Sequence, residues 1–257
     1  VLIVERHPIP TGASTRNAGF ACFGSLTEII SDSEKMGWEK TLDLVKMRFK
    51  GLQKIQNYFA NDEIDFELCG GYEILNDESA LEKLDEVNQH LFPITKTENT
   101  FRIVNEKIKE FELGESEFLV ENLCEGSLHS GKLLMKLVEK CHELKVEFLC
   151  GTEVESFSET ENEIEIKINE NLILKSEKVI FCTNTFSSKF LEYEEIIPAR
   201  GQIILTEPIE NLKLKGTFHY DEGFYYFRNL GNRILLGGAR NQDFETEETT
   251  ALETTEF

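Results

Sequence analysis

Three observations predict an α/β protein, α+β overall. The runs Val1-Leu2-Ile3-Val4 and Lys178-Val179-Ile180-Phe181-Cys182 are continuously apolar after any leading charge and stop abruptly in polar residues. That is the pattern of strands covered on both faces in a parallel sheet. The stretches 33–60 and 130–144 carry apolar residues at helical spacing opposite Lys and Glu. From 201 onward the chain breaks into short strands separated by Asn and Gly turns, which predicts a mostly antiparallel sheet.

At 257 residues the chain is long enough for one large domain or two interleaved ones. Its 40% apolar content and 19 Phe can offset chain entropy, which excludes a disordered chain. A formal charge of −21 repels phosphate backbones and anionic lipid, so neither nucleic acid nor a charged membrane surface is an expected partner. The acid excess sits largely in polar runs such as 159–163 and 245–256, which read as solvated surface. Cys22, Cys69, Cys124, Cys141, Cys150 and Cys182 show neither C-x-x-C pairing nor regular spacing. They are expected to be reduced thiols, with no metal site and no disulfide framework. No apolar run reaches membrane-spanning length and no targeting motif is present, so the expected location is the cytoplasm.

Taken in order, Val1 to Val4 predicts a strand with Glu5 at its carboxyl end. An acid there accepts hydrogen bonds from a ribose diol in dinucleotide-binding folds. Pro8 and Pro10 mark an ordered exit loop. Gly12-Ala13-Ser14-Thr15-Arg16-Asn17-Ala18-Gly19-Phe20 follows, and its small residues let backbone N–H groups approach an anion. A plain surface turn is the alternative reading of the same composition.

The stretch 33–60 predicts one long helix, with a break allowed at Gly37 or Gly51, and Trp38 belongs to its core face. A strand with a bulge at Gly70-Gly71 is expected over 66–75, and a shorter helix over 78–91. Short elements of no assigned function fill 101–118. A helix over 130–144 precedes a strand at 146–149, with His129 and His142 as cap or surface residues. Alternation of Ile164, Ile166 and Ile168 with charged residues predicts an antiparallel strand that turns at 169–171 and returns over 172–174. The run 178–182 ends at Thr183-Asn184, which reads either as a ligand-side strand end or as the N-cap of a helix over 187–191. Strands are expected at 201–205, 217–220, 223–228 and 233–236, and the acidic tail from Glu245 reads as a solvent-facing helix start. Phe224, Tyr225, Tyr226, Phe227 and Arg228 put aromatics on both faces of one strand, so one face meets either a flat ligand or a neighbouring helix.

With these pieces in order the sequence resembles the FAD-dependent oxidoreductases of the D-amino-acid oxidase and glycine oxidase superfamily. The matching residues are V-L-I-V-E, G-A-S-T-R-N-A-G-F, S-G-K-L-L-M-K-L before V-E-F-L and T-E-V, K-V-I-F-C-T-N, I-P-A-R-G-Q, and F-Y-Y-F-R-N-L-G-N-R-I-L-L-G-G. The resemblance implies a Rossmann-like FAD-binding domain over 1–68 and 124–196, interleaved with a mostly antiparallel substrate domain over 69–123 and 197–257. It also implies that the glycine-rich turn before the first strand, and a carboxyl-terminal segment with a substrate arginine, are not within this sequence, leaving the FAD-binding domain incomplete.

By the same resemblance, Glu5 meets the adenosine ribose, Arg6 beside it is a further cofactor-binding candidate, and Ser14, Thr15, Arg16, Asn17, Ala18, Gly19 and Phe20 run beside the pyrophosphate and flavin. Val154 clamps adenine through its backbone, and Thr183 and Asn184 lie near the cofactor. Tyr225, Tyr226 and Arg228 are the implied substrate-lining residues. The implied activity is oxidation of a small amine or amino acid by hydride transfer to FAD. A 2-hydroxy-acid oxidoreductase, or a fragment that binds no cofactor, are the alternatives. No catalytic side chain is assigned, because the flavin carries that chemistry.

Overall fold

The computed structural model describes residues 1–169, 172–191 and 196–254. In chain order, strand β1 (Leu2–Val4) and the short β2 (Phe20–Ala21) lead into helices α1 (Leu26–Met36) and α2 (Trp38–Tyr58). Next come β3 (Gly71–Leu75), α3 (Leu84–Thr95), β4 (Phe101–Ile103), α4 (Glu106–Glu110), β5 (Phe118–Asn122) and β6 (Gly126–Ser127). Helix α5 (Ser130–Glu143) precedes β7 (Glu147–Leu149), β8 (Ser156–Glu159), β9 (Ile164–Asn169) and β10 (Leu172–Ser176). The chain finishes through β11 (Gln202–Leu205), β12 (Thr217–Tyr220), β13 (Tyr225–Leu230), β14 (Arg233–Gly238) and the short α6 (Phe244–Glu247).

The chain divides into two compact units. One comprises Val1–Arg16, Leu137–Gly201 and Gln242–Phe257; the other comprises Asn17–Lys136 and Gln202–Asn241. In the first unit β1 pairs in parallel with β7, and β8, β9 and β10 form an antiparallel meander. Arg200 ties the last described stretch to this unit, its Nε and Nη2 donating to the Glu247 carboxylate at 2.9 and 3.0 Å. Asp243 caps α6 by accepting from the Thr246 N–H, which places the helix start near the expected position in the acidic tail.

Two expectations for this unit change. Val1 to Val4 is not covered on both faces: Leu2 and Ile3 are 42% and 37% exposed, and among the described residues β1 pairs only with β7. Residues 178–182 form no strand, since strand pairing needs a neighbouring backbone and none among the described residues is in register with them. Phe181 is held by aromatic contacts with Phe157 and Phe190 instead. The turn expected at 169–171 lies partly outside the described residues, as do the last three residues of the acidic tail.

The second unit is built on a seven-stranded sheet in the order β11-β14-β13-β12-β3-β5-β4, antiparallel except for the β12–β3 pair. On one face, α1, α2 and α3 bury Phe23, Leu26, Val45, Val87 and Leu91 against Leu75, Phe101 and Val120. On the other, Tyr72, Phe218 and Phe227 stack ring on ring beside Phe111. Each fully buried Phe stabilises the fold by about 2–3 kcal/mol of transfer free energy.

The long helix expected over 33–60 is two helices. Gly37, at φ 82°, ends α1 and starts α2 in a conformation that side chains resist. Helix α1 also begins earlier than its apolar period suggests, because Ser25 caps it by accepting from the Glu28 N–H. Among the described residues no helix is long and apolar enough to cross a membrane.

Candidate functional site

In a sheet, residues two apart on one strand share a face with the residues that pair with them. The registers of β14, β13, β12 and β3 therefore set Gly237, Tyr226, His219 and Glu73 in one row across the sheet. Leu235, Arg228, Thr217 and Gly71 form the adjacent row on the same face. Tyr225 falls on the opposite face, where its ring meets Tyr220 at 6.0 Å. Of the three residues expected to line a substrate cavity, the fold thus joins Tyr226 and Arg228 and separates Tyr225 from them.

Tyr226 lies flat over Gly237, where a Cβ would fall 2.4 Å from a ring carbon. Phe20, on β2, meets His219 edge-on at 5.1 Å and Tyr226 at 5.9 Å. Strand β2 is held by antiparallel pairing with β6. Burial pushes the Tyr226 phenol up and the His219 imidazole down, with Glu28 opposing the second shift, so both rings are neutral near pH 7.

Arg228 does not present its charge to solvent. It is buried, and its Nη1 donates to the carbonyls of Ala18, Gly19 and Leu128 at 3.2, 3.0 and 3.0 Å, while Nε donates to the Asn229 carbonyl at 3.0 Å. Desolvation lowers its pKa from the ordinary guanidinium value. Its geometric role is to lock the 18–20 backbone to the sheet.

The small-residue loop is likewise turned inward. Thr15 N–H and Arg16 N–H donate to the Gly12 carbonyl, and Gly19 N–H donates to Asn17 Oδ1. Those three backbone donors are thus used inside the loop, and the Asn17 side chain is engaged there as well. The loop crosses from one unit to the other at Arg16–Asn17.

Within the first unit, three of the expected cofactor segments meet. Glu5 follows β1, its N–H donates to the Leu149 carbonyl, and its own carbonyl accepts from Thr152 N–H at 2.9 Å, two residues before Val154. Glu5 Oε1 also accepts from the His7 N–H, which orients the carboxylate. The Arg6 guanidinium sits 4.3 Å over the Phe186 ring, in the 3-10 turn that begins at Asn184. Thr183 stands at the N-cap of that turn, and its hydroxyl pairs with Ser187 Oγ at 2.9 Å.

Two buried carboxylates were not legible as site residues. Glu125, 2% exposed, accepts from the N–H groups of Phe23 and Gly24 at 2.7 and 3.2 Å. Burial, with Glu28 and Glu73 nearby, pushes its carboxyl up to about 8. Glu73, 4% exposed, accepts from Ser25 Oγ at 3.0 Å, from Thr27 N–H at 3.2 Å and from the Thr27 hydroxyl, and burial raises its pKa too. Together they fasten the segment after β2 to the sheet. Glu73 had a signal, an acid interrupting the apolar Tyr72, Ile74 and Leu75; Glu125 had none. His219 was also missed, although its alternation with Thr217 puts it on the face of Tyr226 once the hairpin register is known. Among the described residues no group of three His, Cys, Asp or Glu is placed to hold a metal ion.

Several solved structures share this fold. L-Proline dehydrogenase from P. horikoshii superposes with a TM-score of 0.69 at 18% identity, over 99% of this chain and 66% of that one. Glycine oxidase from Geobacillus kaustophilus gives 0.63 at 14% identity, over 91% and 63%. L-alpha-Glycerophosphate oxidase from Mycoplasma pneumoniae, solved with FAD bound, gives 0.66 at 13%, over 92% and 64%. The chain thus spans about two thirds of the length of these proteins. No curated protein matches it. The family model described as FAD dependent oxidoreductase (DAO) matches residues 1–256, and the chain belongs to that family, whose cofactor is FAD.

Proposed function

We propose that this chain serves the FAD-dependent oxidation of a small amine or amino acid. One observation carries the reading: Arg228 and Tyr226, far along the chain, join the 18–20 segment directly, through the Arg228–Gly19 hydrogen bond and the Tyr226–Phe20 ring contact. The segment expected beside the flavin and the strand expected beside the substrate are one construction. Two structures of the same fold, a proline dehydrogenase and a glycine oxidase, support an amino-acid substrate.

The donor set fits the cofactor. Glu5 offers a carboxylate oriented by the His7 N–H for a ribose diol, the Thr152 N–H two residues before Val154 bonds the Glu5 carbonyl, and Gly12, at φ 81° with open space where a Cβ would stand, keeps the loop free of bulk. Glu5, Arg6, Val154, Thr183 and Asn184 would hold the adenosine side, and Ser14, Thr15, Arg16, Asn17, Ala18, Gly19 and Phe20 the pyrophosphate and ring. When bound, FAD accepts the hydride. The chain's own work is to hold the substrate C–H in place with Tyr226, His219 and Phe20 and to exclude water there.

The test is to purify the protein with added FAD, record visible absorption, and screen glycine, L-proline, lactate and α-glycerophosphate with an artificial electron acceptor. Bound flavin with turnover of an amino acid supports the reading. Turnover of the hydroxyl compounds alone, or no retained flavin, overturns it.

A further inference from the structure

His219 is the titratable base on the face that carries Tyr226. It sits directly opposite Tyr226 in the β12–β13 register, meets Phe20 edge-on, and no hydrogen bond from the described residues reaches either of its ring nitrogens. His219 is half-buried, and its ring nitrogens are not among the buried polar atoms left without a partner, so they keep some access to the space beside the sheet.

Amine oxidation creates a need for such a group. An amine in water near pH 7 is an ammonium ion, and its nitrogen has no electron pair to stabilise the departure of hydride from the adjacent carbon. A base at the site that takes that proton lets the abundant ammonium form react as well as the scarce free amine. We propose that His219 takes this proton, acting as a general base toward the substrate ammonium; the inference rests on the amine reading above. The step moves one proton and no electrons. The ammonium N–H bond breaks, its pair stays on the substrate nitrogen, and a new N–H bond forms on the imidazole, which then releases the proton to solvent.

The groups around His219 suit the role. Glu28, on α1, favours the imidazolium once it forms. Glu73, its register neighbour on β3, is engaged by Ser25 and Thr27, and burial raises its pKa, so it does not compete for the proton as a free carboxylate would. Tyr226, opposite on β13, stays a neutral phenol. In the β12–β13 turn, Asp221 accepts from the Asn241 amide, and Glu222 lies beside it. Burial holds the imidazole below the ordinary histidine range, so the base form is present at neutral pH.

The experiment uses the FAD-loaded protein with glycine and L-proline, comparing wild type with His219→Gln and His219→Asn. In wild type, kcat/KM should fall on the acid side as the imidazole protonates. Both variants should lose about 10²-fold in kcat/KM at pH 7 and recover toward wild type at high pH, where the free amine is abundant. Proton NMR gives a readout apart from turnover: the His219 ring signal, identified by its absence from the variants, should titrate below ~6.5. Unchanged pH profiles in the variants overturn the proposal while leaving the amine reading intact. Failure of both variants to give a folded far-UV circular dichroism spectrum assigns the ring to packing and also overturns it. Absence of any amino-acid turnover in wild type removes the amine reading and the proposal with it.

Discussion

Glu125 is a buried acid held by two backbone N–H groups, and its protonation is linked to stability. Its carboxyl is pushed up to about 8, so the folded state keeps a proton that the unfolded chain releases near its ordinary value of ~4.5. The stabilising effect of that bound proton is complete below about pH 4.5 and is lost as pH rises toward 8, at roughly 1.4 kcal/mol per unit in between. Wild type should therefore lose up to a few kcal/mol of this contribution between pH 5 and 8. Glu125→Gln, which keeps an acceptor for Phe23 and Gly24 without a charge, should flatten the profile and unfold at higher denaturant concentration above pH 7. Urea melts at pH 5, 6.5 and 8 check it, and parallel profiles for the two proteins would remove the assignment.

At the scale of elements, two glycines decide how β2 and β14 pack. Gly19 has φ 69°, and a Cβ there would fall 2.2 Å from the Leu128 carbonyl oxygen, beside the guanidinium of Arg228. Gly19→Ala should thus strain the backbone, disturb the β2–β6 pairing and lower the melting temperature by several degrees, an effect of about 1–3 kcal/mol. Gly237 is constrained by space alone, because the Tyr226 ring occupies the place of its side chain. Gly237→Val should displace that ring while the sheet persists. The expected outcome is a changed KM for the amino acid with flavin content unaltered, read by steady-state kinetics and the ratio of visible to ultraviolet absorbance.

For the whole molecule, the proposed division of labour between the two units is open to a direct comparison. Glu5→Ala, in the first unit, should weaken FAD binding at least ~10-fold, as expected for loss of a charge-assisted hydrogen bond worth about 1.5–3 kcal/mol. Tyr226→Phe, in the second, should leave FAD affinity unchanged and alter substrate kinetics. Fluorescence titration of FAD into the flavin-free proteins measures both, and equal affinity for wild type and Glu5→Ala would void the ribose assignment.

Patterning made most elements legible. The 217–220 strand, the helix from Ser130 and a break at Gly37, one of the two glycines that allowed it, follow from flanking turns, amphipathic spacing and glycine, all of which act over a few residues. The family was legible from motifs in order, because each motif is a local solution to a local constraint. What the sequence alone determined, then, was the type of most elements, the family and its cofactor. Tertiary structure decided the rest: that Arg228 locks a loop, that Tyr225 and Tyr226 part company, that 178–182 pairs with no described strand, and that His219, Glu73 and Glu125 gather around one face. These depend on register and on contacts between residues as many as 210 positions apart, which no local pattern encodes.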